Sequence, residues 1–416
     1  MQKSEDVAIP MQQDFNNIEL LFPFSIDWDQ WKLCKSNEPF SEDMIGFLSA
    51  LSLSLIKDSQ SRAYPDVVTF AFFCRKANLQ NLKQQYSGDE NKLRVSRGVL
   101  FHIAPSNVPL NFGYSLVAGL LSGNYNIVRV SSKRFPQVDL VVKHIHQLAS
   151  MEKWKNLTDR IALVRYDRSS EATRYFSSFC NVRIIWGGDD TIAQIRKSPL
   201  PARSFDVTFA DRYSFAVINA DELIKEKNIK KIAEGFYNDT YLFDQNACSA
   251  PHLVIWLGDE QNIVEAKRIF WSAIYTEVEK RYELQSVIAI DKLSAFYKQA
   301  VSMPVHLEKE WNDNRLIRVE LDELPGNIDD FRCAGGYFSE YTVMSLDDIV
   351  PIINSKYQTM AYYGLEYLAL KNFVRNSHIV GIDRIVPIGS TTDFALIWDG
   401  YNLIDTFTRE CYIQYN

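Results

Sequence analysis

A single thiol stands in the stretch DQNACSAP, Asp244 to Pro251, between a helix-like run, NIKKIAEGFYNDTYLF, and a strand-like run, HLVIWLG. A buried cysteine usually lies inside an apolar run and acts as a small hydrophobe. Cys248 lies instead among small and amide-bearing residues, where a loop or turn would present it. A thiolate so placed attacks an activated carbonyl and leaves again readily. A second candidate is Asn107 in APSNVPLNF, bracketed by Pro105 and Pro109, which stiffen the loop and hold the amide in place. Such an amide is a common donor to a developing oxyanion. Taken alone, capping the next helix or turning the loop is its simpler role. A third is the run GNYNIVRVSSKRFP, where Arg129, Ser131, Ser132, Lys133 and Arg134 close a strand. By itself a basic run there is usually a solvated loop.

The remaining polar candidates are weaker. His102 and His252 adjoin the two loops and read as packed or capping residues. His144 and His146, two apart on a helix, point to different faces and make a poor metal pair. The six cysteines, at 34, 74, 180, 248, 333 and 411, follow no CxxC spacing, so neither a zinc site nor a disulfide framework is expected.

Positioning these residues requires regular elements, and the chain changes pattern near Val95. Residues before about 90 read mostly as helices, SEDMIGFLSALSLSLIKD being the clearest. After that, GVLFHIAP, YNIVRVSS, RIALVRYD and VRIIWGG read as strands, separated by the helical runs NFGYSLVAGLLSG, FPQVDLVVKHIHQLASMEKW and SEATRYFSSFC. Gly123 is the expected helix stop. Strands alternating with helices imply crossover connections and a parallel, doubly wound sheet, with ligands at the carboxyl ends of its strands. A second alternating block runs from about Phe205 to Leu370 and contains Cys248, the helix DEQNIVEAKRIFWSAIYTEVEKRYE and the strand RLIRVEL. The fold class is therefore α/β.

At 416 residues, 46% hydrophobic and 23% charged, the chain is long enough for two or three domains. Its net charge of −7 argues against a general affinity for nucleic acid. The N-terminus lacks the apolar core of a secretory signal, and no run of about eighteen apolar residues would span a membrane. A soluble cytoplasmic protein is expected.

The first strand–turn–helix lacks G-x-G-x-x-G. What stands there is P-x-N-x-P, a helix ending in GN, and a strand ending in a basic residue and a serine pair. This series resembles the aldehyde dehydrogenase superfamily, with its PWNFP, AAGN and K-P-S-E segments. IIWGGDDTIAQI resembles that superfamily's FTGS segment opening a helix, and QNACSAP its glutamine–cysteine nucleophile loop. HIAPSNVPLNF, AGLLSGNYNIVRVSSKRFPQV, DQNACSAPH, YQTMAYYG and GIDRIVPIG with DFALIWDGYNLI are similar, more closely, to the LuxC-type acyl-CoA or acyl-protein reductases, over about residues 95 to 410.

The resemblance implies an aldehyde-dehydrogenase-like fold. Its parts would be a helical N-terminal region (1–90), a nicotinamide cofactor-binding domain (91–205), a catalytic domain (206–375) and a C-terminal segment (376–416). It also implies a reductase that forms an acyl-enzyme on Cys248, with the Cys248 N–H and the Asn107 amide holding the oxyanion. Gly187, Gly188, Arg129, Ser131, Ser132 and Lys133 would bind the cofactor. Ser132 replaces the acid that receives the adenosine ribose in NAD-selective relatives, which implies NADPH. FADRYSF sets Phe209 where acid-forming relatives keep a glutamate base. Glu340 in YFSEYTV is one counterpart of the acid that meets the nicotinamide ribose; the other register sets Gly335 at the family's glycine and leaves that acid absent. The implied partners are an acyl-CoA, acyl-carrier or acyl-protein donor, an acyl-transfer enzyme and further copies of the chain. An acyl-phosphate reductase and a non-catalytic assembly subunit are the alternatives.

Overall fold

The structure, a computed structural model, describes residues 18–86, 93–168, 171–308 and 313–414. The chain forms two compact units, one from residues 1–210 with 402–416 and the other from 211–401.

In the first unit, six strands run across the sheet in the order Glu19–Phe22, Ile161–Arg165, Tyr125–Arg129, Val99–Ile103, Val182–Trp186 and Phe205–Phe209. The last five are mutually parallel, and the order reverses on either side of the central Val99–Ile103, as in a doubly wound sheet. Three of those five strands are buried at every residue and a fourth, Tyr125–Arg129, at every residue but Tyr125, which is why they read as continuous apolar runs. Glu19–Phe22 pairs antiparallel with Ile161–Arg165. The reading of residues before 90 as helical thus misses one strand, a four-residue run too short to show a period.

Helices cover the sheet because their apolar faces need cover. In Pro136–Ala149 the buried Val138, Val141, Val142, Ile145 and Leu148 recur at helical spacing, and Pro136 opens the helix where its missing N–H costs nothing. Glu42–Lys57, capped by Ser41, packs against it. The two helices are also joined by polar contacts, Ser54 Oγ to His144 Nδ1 at 2.6 Å and Asp58 to His144 Nε2 at 3.1 Å. Asn111–Leu121 stops before Gly123, whose φ of +81° no β-carbon would favour.

The expected C-terminal segment is divided. Residues through Tyr401 belong to the second unit, while Thr408–Cys411 pairs antiparallel with Leu93–Ser96 in the first.

The second unit holds a seven-stranded sheet in the order Val305–Glu308, Ile317–Leu321, Tyr337–Val343, Pro251–Leu257, Tyr213–Asn219, Tyr357–Tyr363 and Arg384–Pro387. All pairs are parallel except the one made by the edge strand Val305–Glu308. Alternate residues of the central strands feed two cores. Ala216, Ile218, Val254 and Trp256 face Phe236, Phe270 and Trp271, while Phe215, Val217, Leu253 and Ile255 face Met360, Ile349 and Phe373. No helix among the described residues is long and apolar enough to cross a membrane.

Candidate functional site

The first unit carries a cleft of about 810 Å³ where its central strands end. Ile103, Arg129 and Trp186 are the last residues of three neighbouring strands, and all three line it. Asn107, Ser131, Ser132, Lys133, Gly187 and Gly188 line it too, so Asn107 and every expected cofactor-binding residue meet at one place. Asn107 is exposed, on the bend that follows Ile103.

Arg129 is 9% exposed, and one of its terminal nitrogens donates to Tyr166 O at 3.1 Å and Ser132 Oγ at 3.4 Å. Its guanidinium lies 4.9 Å from the Tyr166 ring centre. Its Nε is buried and meets no acceptor among the described residues. Burial is the main force pulling the proton affinity of Arg129 down. Ser131 Oγ accepts from Lys133 N at 3.0 Å and so fixes the turn after the strand. At Gly187 a β-carbon would press on Thr191 at 3.2 Å, while at Gly188 it would meet nothing within 4 Å. Gly188 therefore leaves backbone open for close approach.

Some sequence candidates lie elsewhere. Arg134 pairs with both oxygens of Glu19 at 3.2 Å, on the edge strand, and is not among the cleft-lining residues. His102 is fully buried between Ser115 Oγ at 2.7 Å and Asn126 Oδ1 at 3.1 Å, and burial pulls its pKa down to about 4. His252 is buried against the Tyr213 ring, with its pKa pushed down to about 3 by burial. Glu340 is held inside the second core. Trp256 Nε1 and Trp271 Nε1 donate to it at 2.7 and 2.8 Å, and Arg318 Nε donates at 2.6 Å. With no exposed surface, that carboxylate serves the fold.

Arg168, Arg174 and Lys197 also line the cleft, and sequence reasoning missed them. Nothing local marks them, since only the winding of the sheet brings them to Arg129. With Arg129 and Lys133 they make five cations, against the two acids Glu171 and Asp190. This is a basic recess on a protein of net charge −7.

Cys248 belongs to the second unit. Its loop is pinned by Gln245, whose Nε2 donates to Pro251 O and Tyr337 O at 2.8 and 3.0 Å. Gln245 Oε1 in turn accepts from the N–H groups of Gly336 and Tyr337 at 2.9 and 3.1 Å. That amide, satisfied on all sides, fixes a backbone in which Asp244 and Gln245 both take positive φ. Ser214 Oγ donates to Cys248 O at 2.7 Å and ties the loop to the start of the Tyr213–Asn219 strand. The sulfur accepts from Gln358 Nε2 at 3.2 Å, and Gln358 Nε2 also donates to Asp399. Burial, and after it the Asp399 carboxylate, push the thiol up to about 11, while Gln358, Arg384 and Arg212 act against them. Gln358 and Asp399 were not singled out, although both lie in segments that carry the resemblance, YQTMAYYG and DFALIWDGYNLI.

Compared with known proteins, residues 35–410 match the model of a family described as acyl-CoA reductase (LuxC). The long-chain acyl-protein thioester reductase of Vibrio harveyi is 23% identical over 312 residues, covering 72% of this chain and 60% of the relative. That of Aliivibrio fischeri is 24% identical over 310 residues, with the same 72% and 60%. The match thus spans 60% of the length of these curated relatives. Among solved structures, aldehyde dehydrogenase 21 from Physcomitrella patens superposes with a TM-score of 0.64 at 11% identity, covering 89% of this chain and 85% of that one. A benzaldehyde dehydrogenase from Corynebacterium glutamicum superposes at 0.63 with 13% identity, covering 92% and 86%. The fold is that of the aldehyde dehydrogenases.

Proposed function

This chain belongs to the LuxC acyl-CoA reductase family, and from that premise we propose that it reduces an activated acyl group to an aldehyde through a thioester on Cys248. The observation that carries the reading is a family match running from residue 35 to 410, through both the basic cleft and the Cys248 loop. The donor is a thioester, on CoA or on a protein. The curated relatives' names point to an acyl-protein.

In the first step the Cys248 thiolate forms a bond to the acyl carbon, and the donor's thiolate leaves. One thioester replaces another, so the exchange is close to balanced. In the last step the carbon–sulfur bond breaks, the aldehyde departs and the Cys248 thiolate returns. Cysteine suits both ends, since its sulfur attacks and leaves with similar ease. The resemblance gives the Asn107 amide the task of donating to the carbonyl oxygen as charge develops there. Phe209 takes no proton. Its ring is stacked on Trp186 with centroids 3.6 Å apart. Without a base at that position, an acyl-enzyme is protected from water.

A nicotinamide cofactor, when bound, supplies the hydride for the reduction. The cleft of the first unit fits one, with an unsatisfied Arg129 Nε and a Gly188 open to close approach. Arg129, Ser131, Ser132, Lys133, Gly187 and Gly188 would hold it. NADPH is the form this lining favours, because Ser132 leaves no carboxylate to repel a 2′-phosphate and Arg168 and Arg174 add charge beside Arg129.

The test is mass spectrometry of the intact protein and its peptides after incubation with a long-chain acyl-CoA. An acyl group on the Cys248 peptide, discharged as aldehyde on adding NADPH, is expected. An adduct that persists in Cys248→Ala, or its absence with every activated acyl donor tried, would overturn the reading.

A further inference from the structure

We propose that Gln358 is a catalytic residue, stabilising the Cys248 thiolate as it attacks and as it leaves through an N–H···S hydrogen bond, and that Asp399 positions the Gln358 amide so that an N–H always faces the sulfur. The inference rests on Cys248 being the nucleophile and names residues to which no part was assigned above.

Gln358 sits near the start of the strand Tyr357–Tyr363 and is fully buried, as is its neighbour Thr359. A buried primary amide must place two N–H donors and one carbonyl oxygen. Here Nε2 spends one hydrogen on Sγ at 3.2 Å and the other on the Asp399 carboxylate. Oε1 accepts from Thr359 Oγ1 at 3.2 Å. If the amide turned over, Oε1 would face the carboxylate and the sulfur, both acceptors, and both contacts would become repulsive. The carboxylate therefore decides which end of the amide meets Cys248.

Asp399 is itself fixed. It is 7% exposed and takes a φ of +49° just before Gly400 at +74°. At Gly400 a β-carbon would lie 2.9 Å from Asp383 Oδ1, so the turn accepts no larger residue without strain. The neighbouring Trp398 ring lies 4.2 Å from the Arg384 guanidinium, which donates to Thr391 O and Asp393 O at 3.0 Å. The charged groups acting on the thiol are Asp399, Arg384 and Arg212, and those acting on Asp399 are Arg212, Asp383 and Arg384.

A donor on sulfur favours thiolate over thiol, because a hydrogen bond to a charged partner is worth more than one to a neutral partner. The benefit applies twice in the reaction, when the thiolate attacks and when it leaves. Asp399 has two opposed effects. It orients the donor, yet its negative charge disfavours the thiolate. Removing the donor and removing the charge must therefore move the thiol in opposite directions, which a loss of packing would not do.

The experiment reads the rate at which iodoacetamide alkylates Cys248, followed on its peptide, between pH 7 and 10 in the full chain. Gln358→Met keeps the side chain's length without the donor, and the expected result at pH 8 is a rate about tenfold or more below wild type. Asp399→Asn keeps an acceptor for Gln358 and removes the charge, and should alkylate faster than wild type at the same pH. Superimposed profiles for wild type and Gln358→Met, or shifts of both variants in one direction, overturn the proposal. Should Gln358→Met fail to fold, a profile in Asp399→Asn that is unmoved or slower overturns it alone. Absence of an acyl adduct in the wild type would instead overturn the acyl-enzyme reading, whatever the alkylation rates show.

Discussion

At Arg129 a guanidinium is almost wholly withdrawn from water while one of its nitrogens keeps no acceptor among the described residues. An unmet donor on a buried cation costs free energy, and a phosphate brought to it recovers that loss through charge-assisted bonds. Arg129→Ala should therefore lower kcat/KM with NADPH by roughly 10- to 100-fold, from about 1.5–3 kcal/mol per charged hydrogen bond. Use of NADH should fall less. Ser132→Glu should reverse the preference by setting a carboxylate against the 2′-phosphate. Steady-state rates with both cofactors decide it, and equal use of NADH by the wild type sinks the assignment. The sequence made Arg129, Asn107 and Cys248 legible because each sits in a short motif whose spacing survives on paper. It did not single out Gln358, 110 residues from Cys248, or Asp399, a further 41 along. Each is one polar residue in an otherwise ordinary stretch, and only the meeting of a strand with a distant turn gives them a joint task.

The helix Asn111–Leu121 and the strand Tyr125–Arg129 meet at Gly119, beneath the cleft. A β-carbon there would lie 1.8 Å from Asn126 Oδ1 and 3.1 Å from His102 Nε2. His102 also meets Ser115 Oγ at 2.7 Å, and Ser115 Oγ accepts from Trp186 Nε1 at 3.2 Å. One polar network thus ties the helix to three strands, all of which end in cleft-lining residues. Gly119→Ala should destabilise the first unit by about 1–3 kcal/mol, the usual cost of overpacking, and weaken cofactor binding with it. A thermal midpoint and cofactor affinity equal to wild type would disprove this. The same network sets a pH dependence. The pKa of His102 is held at about 4 in the fold, against an ordinary 6.5, because burial disfavours its charged form. Between those values the unfolded chain binds the extra proton, so stability falls as pH drops from 6.5 towards 4, by about 3 kcal/mol from this group. In urea titrations, the stability of wild type relative to His102→Gln should decline over that window, and a constant difference would refute it. Strand–helix alternation made four of the five parallel strands of this unit legible, while Phe205–Phe209, read as opening the second block, joins the first sheet beside Val182–Trp186. The antiparallel edge strands Glu19–Phe22 and Val305–Glu308 were not legible, since four residues show no period and an edge strand takes its identity from its neighbour.

Three apolar clusters of the described residues each stay within one unit. The clusters around Phe236 and Phe215 draw only on residues between 213 and 388, while the cluster around Phe101 and Phe176 draws on residues between 18 and 210. The second unit is one continuous stretch, 211–401, and the first is closed by a segment from the far end of the chain. That closure has specific bonds. Thr408–Cys411 completes a two-stranded ladder with Leu93–Ser96, Asn124 Nδ2 donates to Phe407 O at 2.9 Å, and Arg97 Nε donates to Thr406 O at 2.8 Å. Leu403, Ile404 and Phe407 bury their side chains completely or nearly so. Each such side chain left exposed forfeits about 1.5–3 kcal/mol, so losing all three would remove a large share of a typical domain's 5–15 kcal/mol. A fragment of residues 211–401 should therefore fold by itself, while residues 1–210 without 402–416 should not. Near-ultraviolet circular dichroism and urea unfolding of both fragments test this. The first should show a cooperative transition and alkylate Cys248 with the pH profile of the full chain. The second should lack a transition until a peptide of residues 402–416 is added. A cooperative transition in 1–210 alone, or a 211–401 fragment without fixed tertiary structure, would show that the two cores do not carry their units separately.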